Sequence, residues 1–309
     1  MKTKNNISNI FSIKILSYLL LLFTSSLFSQ IKGKVLNNQT QKGIPYVNIW
    51  IENENIGTTS NEQGEFILKP NQTSKNIIFS AIGYETKKIS LKDFNKQVTL
   101  KPVVTELNEV TIISKKETKE LSIDKFKKHK INSSYACSGI PWMVAKFFPY
   151  KKKYEDTPFL QSLTFLTRSK IKNSKFNIRL LSIGSDGKPY KYLYDKNIYG
   201  VAKKGKKYTK IDVSKLNIPF PKEGFFVAVE WLIIDSNKYE YSYTWENSKV
   251  KQYGVRYEPS ISSLPVNNNE NCWIYSKGFW KKNWKNSKKA LKIYRGKYNQ
   301  LAIELILSN

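Results

Sequence analysis

Two all-β units in tandem are what this sequence predicts, and three observations carry the prediction. Aromatic residues make up 14% of the chain, a share that suits pleated sheets, where rings pack against cross-strand neighbours. Apolar and polar residues alternate in short runs punctuated by Gly, Pro, Asn and Asp, the signature of strands and turns. At 309 residues the chain is too long for one small sandwich, so a leader plus two domains is the natural partition. The boundaries that follow are a leader over 1–29, a sandwich over 30–113, a charged linker over 114–131 and a larger sandwich over 132–309.

In the leader, Lys2, Lys4 and Lys14 precede the apolar run Ile15–Phe23, and small residues follow at Thr24, Ser25 and Ser26. That order is the pattern of a cleaved secretory segment, with removal expected near Ser29 or Gln30. The run is short for a bilayer core of about 30 Å, and no later stretch approaches the roughly 18 apolar residues of a spanning helix. No transmembrane segment is therefore expected after removal. The absence of a cysteine at the expected cleavage site argues against a lipid anchor. The mature protein is expected in the periplasm or at the outer-membrane surface.

The first sandwich is organised around Gly57-Thr58-Thr59-Ser60-Asn61-Glu62-Gln63-Gly64-Glu65-Phe66. Gly64 supplies a position open to positive φ, Asn61 tolerates that region too, and Phe66 and Leu68 then share one face of the returning strand. Before it, Ile31–Leu36 is a strand. After Gly43-Ile44-Pro45 comes Tyr46–Ile51, with Val47, Ile49 and Ile51 facing one way and Tyr46, Asn48 and Trp50 the other. Behind it, Ile77–Ile82 is a nearly continuous apolar run, as in a strand buried in mid-core. Lys87–Leu91, Val98–Leu100 and Val110–Ile113 complete the set.

These residues resemble a known family. Gly33-Lys34-Val35, Gly43–Ile49, Gly57–Phe66, Phe79–Glu85 and Leu107-Asn108-Glu109-Val110, in that order and spacing, are similar to the carboxypeptidase D regulatory-like domain. The resemblance implies a transthyretin-like Greek-key sandwich of the Bacteroidota cell envelope, a module often found at the front of TonB-dependent receptors. Asn61 stands where that family usually carries Asp, and either side chain caps the turn. The receptor plan fails on length, because a plugged outer-membrane barrel needs around 22 strands of about ten residues.

The linker Lys115–Lys130 is rich in charge, and a short helix or an extended connector both fit it. Beyond it, Phe159–Thr167, Phe176–Ile183, Tyr190–Tyr194, Phe225–Ile234, Tyr239–Trp245, Cys272–Tyr275 and Leu301–Leu307 read as strands of a jelly-roll-like sandwich. Phe225–Ile234 is the most apolar and is expected at its centre. Phe176–Leu180, Gly187-Lys188-Pro189, Ile218–Pro221 and Gly224–Trp231 resemble an unnamed module that follows the regulatory-like domain in other envelope proteins of the same phylum.

The formal charge of +28 has a lopsided origin: all but Arg168, Arg179, Arg256 and Arg295 of the 52 basic residues are lysines. Base and phosphate readers lean on the planar guanidinium, whereas lysine is a hydrated point charge. With export, nucleic acid is not an expected partner; solvated faces of a lysine-rich composition, or attraction to anionic polymers, account for the charge.

Catalytic constellations are sparse. A metallocarboxypeptidase zinc needs three protein ligands, and His129, flanked by lysines, is the one histidine. No metal and no organic cofactor is expected. Serine and cysteine nucleophiles lack a base, and no Gly-x-Ser-x-Gly elbow is present. Glu230, Asp235, Glu240, Glu246 and Glu258 fall on or near strands of the second sandwich, so a carboxylate pair cleaving a glycoside is the alternative function, although no spacing selects a pair. Cys137 and Cys272, the two cysteines, fit a disulfide in an oxidising compartment and fit equally two buried thiols. Rings and cations interleave in Lys188–Tyr194 and Phe279–Lys285, a combination suited to acidic polysaccharide and also to an ordinary half-buried strand. The function expected is a non-catalytic binding or assembly module for an envelope glycan or envelope protein, with Tyr190, Tyr192, Trp280 and Trp284 as glycan-stacking rings.

Overall fold

The computed structural model describes residues 30–70, 75–103, 118–245, 248 and 250–309. The leader and the strand expected over Val110–Ile113 lie outside those residues. The chain is all-β. In the first unit the strands are β1 (Ile31–Asn37), β2 (Asn48–Ile51), β3 (Gly57–Thr59), β4 (Glu65–Leu68), β5 (Asn76–Ser80), β6 (Lys87–Ser90) and β7 (Gln97–Leu100). They form two small sheets, β3-β2-β5-β6 and β4-β1-β7. Every described pair is antiparallel except β1 with β7.

The turn at 60–64 carries the chain from one of these sheets to the other. Gly64 has φ +80°, and a Cβ there would stand 2.5 Å from the Val35 carbonyl oxygen. Asn61 Oδ1 accepts hydrogen bonds from the backbone N–H of Gln63 and of Glu65, both at 2.9 Å. Ser60 Oγ accepts from Val47 N–H at 2.8 Å and donates to the Ile44 carbonyl at 2.9 Å. The strand that leaves the turn alternates as its pattern requires, Phe66 and Leu68 buried, Glu65 and Ile67 exposed. Phe66 meets Phe79 edge-on at 5.8 Å between the two sheets.

The second unit comprises β8 (Glu120–Ile123), β9 (Ser133–Cys137), β10 (Trp142–Phe148), β11 (Phe159–Ser169), β12 (Ser174–Ile183), β13 (Pro189–Tyr192), β14 (Ile198–Ala202), β15 (Gly205–Asp212), β16 (Phe225–Trp231), β17 (Lys238–Thr244), β18 (Lys251–Val266), β19 (Cys272–Ser276), β20 (Phe279–Lys282), β21 (Tyr298–Leu301) and β22 (Ile303–Ser308). One sheet runs β13-β12-β16-β10-β19-β20 with β14 beside β12. The facing sheet runs β17-β18-β11-β22-β8, with β15 beside β11 and with β9 and β21 beside β18. As its composition predicts, β16 is interior and buried at every residue. Phe225, Val227, Val229 and Trp231 enter the core between the sheets. Phe226 and Ala228 belong to a smaller cluster on the outer face. Trp231 stacks on Trp142 at 4.7 Å and donates its indole N–H to the Pro259 carbonyl of the facing sheet at 2.7 Å.

Glu120–Ile123, within the stretch read as a connector, is a strand paired with β22. Ile123, Phe126 and Ile131 supply the reason, because each is buried. The charges between them face water, and one of them, the half-exposed Asp124, pairs at 2.7 Å with the buried Lys146 of β10. Cys137 and Cys272 are buried free thiols on strands of different sheets. Burial holds the Cys137 thiol up at about 11 and the Cys272 thiol at about 12.

Candidate functional site

The polar face of β2 is not a solvent face. Val47, Ile49 and Ile51 enter the small core, while Asn48 and Trp50 turn to the second unit, where they line a space with Trp142, Met143 and Tyr275. The two units are joined along this seam by backbone and side-chain bonds. Thr59 N–H donates to the Ile233 carbonyl at 3.3 Å, and Ile233 N–H donates to Thr59 Oγ1 at 3.0 Å. Tyr46 packs against Leu232 and Ile234. A Cβ on Gly57 would come within 2.3 Å of Pro141 Cγ, so the missing side chain lets the units approach this closely.

At the centre of the seam is Glu230, 2% exposed, on the outer face of β16. Its Oε2 accepts from Arg179 Nη2 at 2.5 Å, Arg179 Nε at 2.8 Å and Asn177 Nδ2 at 3.0 Å. Its Oε1 accepts from Asn48 Nδ2 of the first unit. Arg179 also donates to Asn197 Oδ1 at 2.7 Å and lies over the Tyr192 ring. Burial pushes the Tyr275 hydroxyl up to about 12 and raises that of Tyr192. Both oxygens of Glu230 are occupied by donors, so this carboxylate is organised as an anchor, with neither the free lone pair of a base nor the exposure of a nucleophile.

The other candidate carboxylates are dispersed. Glu258 lies on the facing sheet and accepts from Arg256 at 2.8–2.9 Å. Glu240 pairs with Lys238, Asp235 lines a cleft described below, and Glu246 lies outside the described residues. Glu230 and Glu258 project from different sheets, so they do not form a pair. Among the described residues no three His, Cys, Asp or Glu side chains group as a metal site, and His129 is exposed on a short 3-10 turn. Among them, too, no helix is long and apolar enough to cross a membrane.

Beside the seam the units diverge around an open cleft of about 1400 Å³. Lys32, Lys69, Lys96 and Lys172 line it without a carboxylate at ion-pair distance among the described residues. Lys34, Lys175 and Lys238, also in the lining, pair with Glu65, Glu62 and Glu240. At the rim, Tyr46 donates to Glu62 at 3.0 Å. The hydrogen bond from Lys175 holds the Glu62 carboxyl below the usual range, and the same contact holds the Lys175 ammonium above its own.

The four rings proposed to stack on glycan are divided between the two edges of one sheet. Tyr190 is 63% exposed on β13, with Lys191 5.5 Å from its ring, and Tyr192 is half-buried beside Arg179. Trp280, on β20, packs on Tyr275 at 5.2 Å. Trp280 and Trp284, whose four-residue spacing would put both on one face of a continuous strand, do not share one. The strand ends at Lys282 because Asn283 turns inward to donate to Tyr135 Oη and the Asn299 carbonyl, each at 2.6 Å, which leaves Trp284 57% exposed beyond it.

A second aromatic feature lies on the strand predicted over Tyr239–Trp245. Tyr239, Tyr241 and Tyr243 alternate along β17, with ring centroids 6.2 and 6.0 Å apart, and Trp245 continues the row 5.5 Å further. The signal was the Tyr-x-Tyr-x-Tyr-x-Trp period itself, which puts every ring on one face.

No curated protein matches the chain. Residues 31–112 match the family model of the CarboxypepD_reg-like domain, and the second sandwich follows that match along the chain.

Proposed function

We propose that this chain is an exported, non-catalytic binding module of the cell envelope, and that the cleft between its two sandwiches receives an anionic envelope glycan. The observation that carries the reading is the lining of the cleft, where Lys32, Lys69, Lys96 and Lys172 are unmatched by carboxylates among the described residues. A concave, low-dielectric wall with unbalanced charge of one sign focuses its field on a ligand of the opposite sign. The regulatory-like domain contributes one wall and the second sandwich the other, so the site exists only while the seam is closed.

The test is affinity electrophoresis of the mature chain in gels holding a polyuronate or a neutral glucan, at two ionic strengths. Retention by the polyuronate alone, falling with salt and lost in the Lys69→Glu, Lys96→Glu, Lys172→Glu variant, is the expected result. Equal retention of that variant, or retention by the neutral polymer, overturns the reading. Intact-mass measurement of secreted material tests export, with a species beginning near Ser29 or Gln30 expected and one retaining Met1 contradicting it.

A further inference from the structure

The strand pair β17–β18 projects from the second sandwich as a two-stranded ribbon. β17 is the last strand of its sheet, so one of its edges is unpaired among the described residues. The register of β18 with β9 begins at Tyr257 and with β11 at Ser260, so Lys251–Arg256 are paired with β17 alone. Isolated two-stranded ribbons are marginal in water. This one also exposes Tyr241, Tyr243, Trp245 and, on its other face, Tyr253.

The ring row is built to hold its shape. Gly254 lies directly across from Tyr241, and a Cβ there would meet the ring Cζ at 2.6 Å, so the tyrosine leans over the neighbouring backbone. Arg256 places its guanidinium 5.3 Å from the Tyr239 ring centre and 5.6 Å from that of Tyr241. Glu258 fixes that guanidinium from below. Edge strands ordinarily carry a proline, a bulge or an inward charge that blocks further pairing. In Lys238–Thr244 there is no proline, the register with β18 is unbroken, and the two charges, Lys238 and Glu240, pair with each other off the ring face.

We infer that the free edge of β17 takes up an extended, acidic segment of another protein as an added strand, with its alternate side chains lying along the row Tyr239, Tyr241, Tyr243 and Trp245. An extended chain repeats its side chains every two residues, about 6.6 Å, which is the period of the row by construction, and its main chain satisfies the exposed N–H and C=O groups of the edge. The acidic character follows from Lys251, which has no carboxylate partner among the described residues of the ribbon, and from the net charge of +28 over the full sequence. That same charge opposes a second copy of this chain as the occupant. The site is independent of the cleft and stands if the glycan reading fails.

The experiment uses the full mature chain and two synthetic peptides of about eight residues, alternating Val and Glu, one of them N-methylated at every second amide so that it cannot pair along a strand edge. Fluorescence anisotropy measures binding, and hydrogen exchange reads the amides of 238–244. Binding of the unmethylated peptide alone, with new protection of the β17 amides not bonded to β18, is expected. Loss of about tenfold or more in affinity in Tyr241→Thr, Tyr243→Thr is expected as well. Equal binding of both peptides, or of neither, overturns the proposal. Protection of these amides by a polyuronate or by anionic vesicles in place of the peptide also overturns it, as does concentration-dependent self-association through the ribbon in sedimentation. Should the double variant misfold, the peptide pair on the unaltered chain still decides.

Discussion

The seam and the ribbon draw on the same residue types, arginine, glutamate and aromatic rings, and put them to opposite use. At the seam, Arg179 and Glu230 are both buried, every described contact of the carboxylate is a hydrogen bond, and one of them crosses between the two units. At the ribbon, Arg256 is about a third exposed and lies under tyrosines that reach solvent. A charge pair enclosed in low dielectric couples the parts that enclose it, because removing any member strands the others without water. At the root of the ribbon the carboxylate Glu258 is enclosed too, but its partner Arg256 and the rings above it reach solvent, which leaves the rings available. The difference between the regions is therefore one of enclosure, and it assigns the first to holding the units together and the second to contact with something outside.

The largest expected effect tests the enclosure directly. Arg179→Ala leaves Glu230 buried with amide donors alone, and a loss of about 3–5 kcal/mol is expected in chemical denaturation. Its partner change, Glu230→Gln, strands the guanidinium and is expected to be destabilising in the same sense. If instead Arg179→Ala costs no more than an ordinary surface change, within about 0.5 kcal/mol, the seam is wetter than the geometry indicates and the contrast with the ribbon collapses.

Asn48→Ala removes the one hydrogen bond to Glu230 made by the first unit among the described residues, while leaving Arg179 and Asn177 in place. A hydrogen bond to a charged group contributes about 1.5–3 kcal/mol, and the loss here is expected to fall on the coupling between units. Hydrogen exchange separates the two possibilities: protection of β2 and β3 falls together with that of Ile233 if the seam opens, and stays uniform if only global stability has dropped.

The cysteines sharpen where the ribbon ends. Cys137 lies across from Tyr257, at the point where β18 leaves the ribbon and enters the sandwich. Fraying that stops short of Tyr257 leaves the thiol unreactive toward a disulfide reagent in the native chain, and that is the expected result. The pH dependence has a definite sign. Both thiols ionise near 9 when unfolded, but burial raises them to about 11 and about 12 in the folded chain. The folded state therefore keeps protons that the unfolded state has lost, and stability falls as pH rises through that window. In Cys137→Ala, Cys272→Ala this fall is expected to be shallower than in the parent chain.

Much of the fold was legible in the sequence, and the places where it was not have physical causes. The turn at Gly57–Phe66, the alternation in β2 and the central position of β16 were readable because each follows from a local rule: a glycine at positive φ, a period of two, a run without polar interruption. β18, the longest strand, was not, because Gly254, Pro259 and Pro265 interrupt it, and the breaks are tolerated through pairing with four different strands that no local pattern reveals. β8 was hidden by flanking lysines, since its partner β22 is 182–188 residues away in sequence. The seam could not be read at all. Asn48 and Glu230 look like two unremarkable polar residues on solvent faces until the two sandwiches are placed against each other. The rings at Trp280 and Trp284 were spaced correctly for one face, but the inward turn of Asn283 ends the strand between them.

The smallest effect lies at the rim of the cleft, where the pair of Glu62 and Lys175 joins the two units beside the buried Tyr46. Glu62 is solvated and more than half exposed, so its pair with Lys175 is the screened kind that adds little to stability. Lys175→Met is expected to shift the unfolding midpoint far less than Asn48→Ala, and to do so only at low salt. The pH dependence tests the assignment more closely. The hydrogen bond from Lys175 lowers the folded-state pKa of Glu62, so the contribution is present above the ordinary glutamate range and disappears as pH falls through the lowered value. Stability profiles of the parent chain and Lys175→Met are therefore expected to differ slightly at neutral pH and to converge in acid. Profiles that remain parallel down to the acid limb would mean that the lysine acts through its packing against Tyr46, with the charge of Glu62 irrelevant, and the rim would then belong with the enclosed seam.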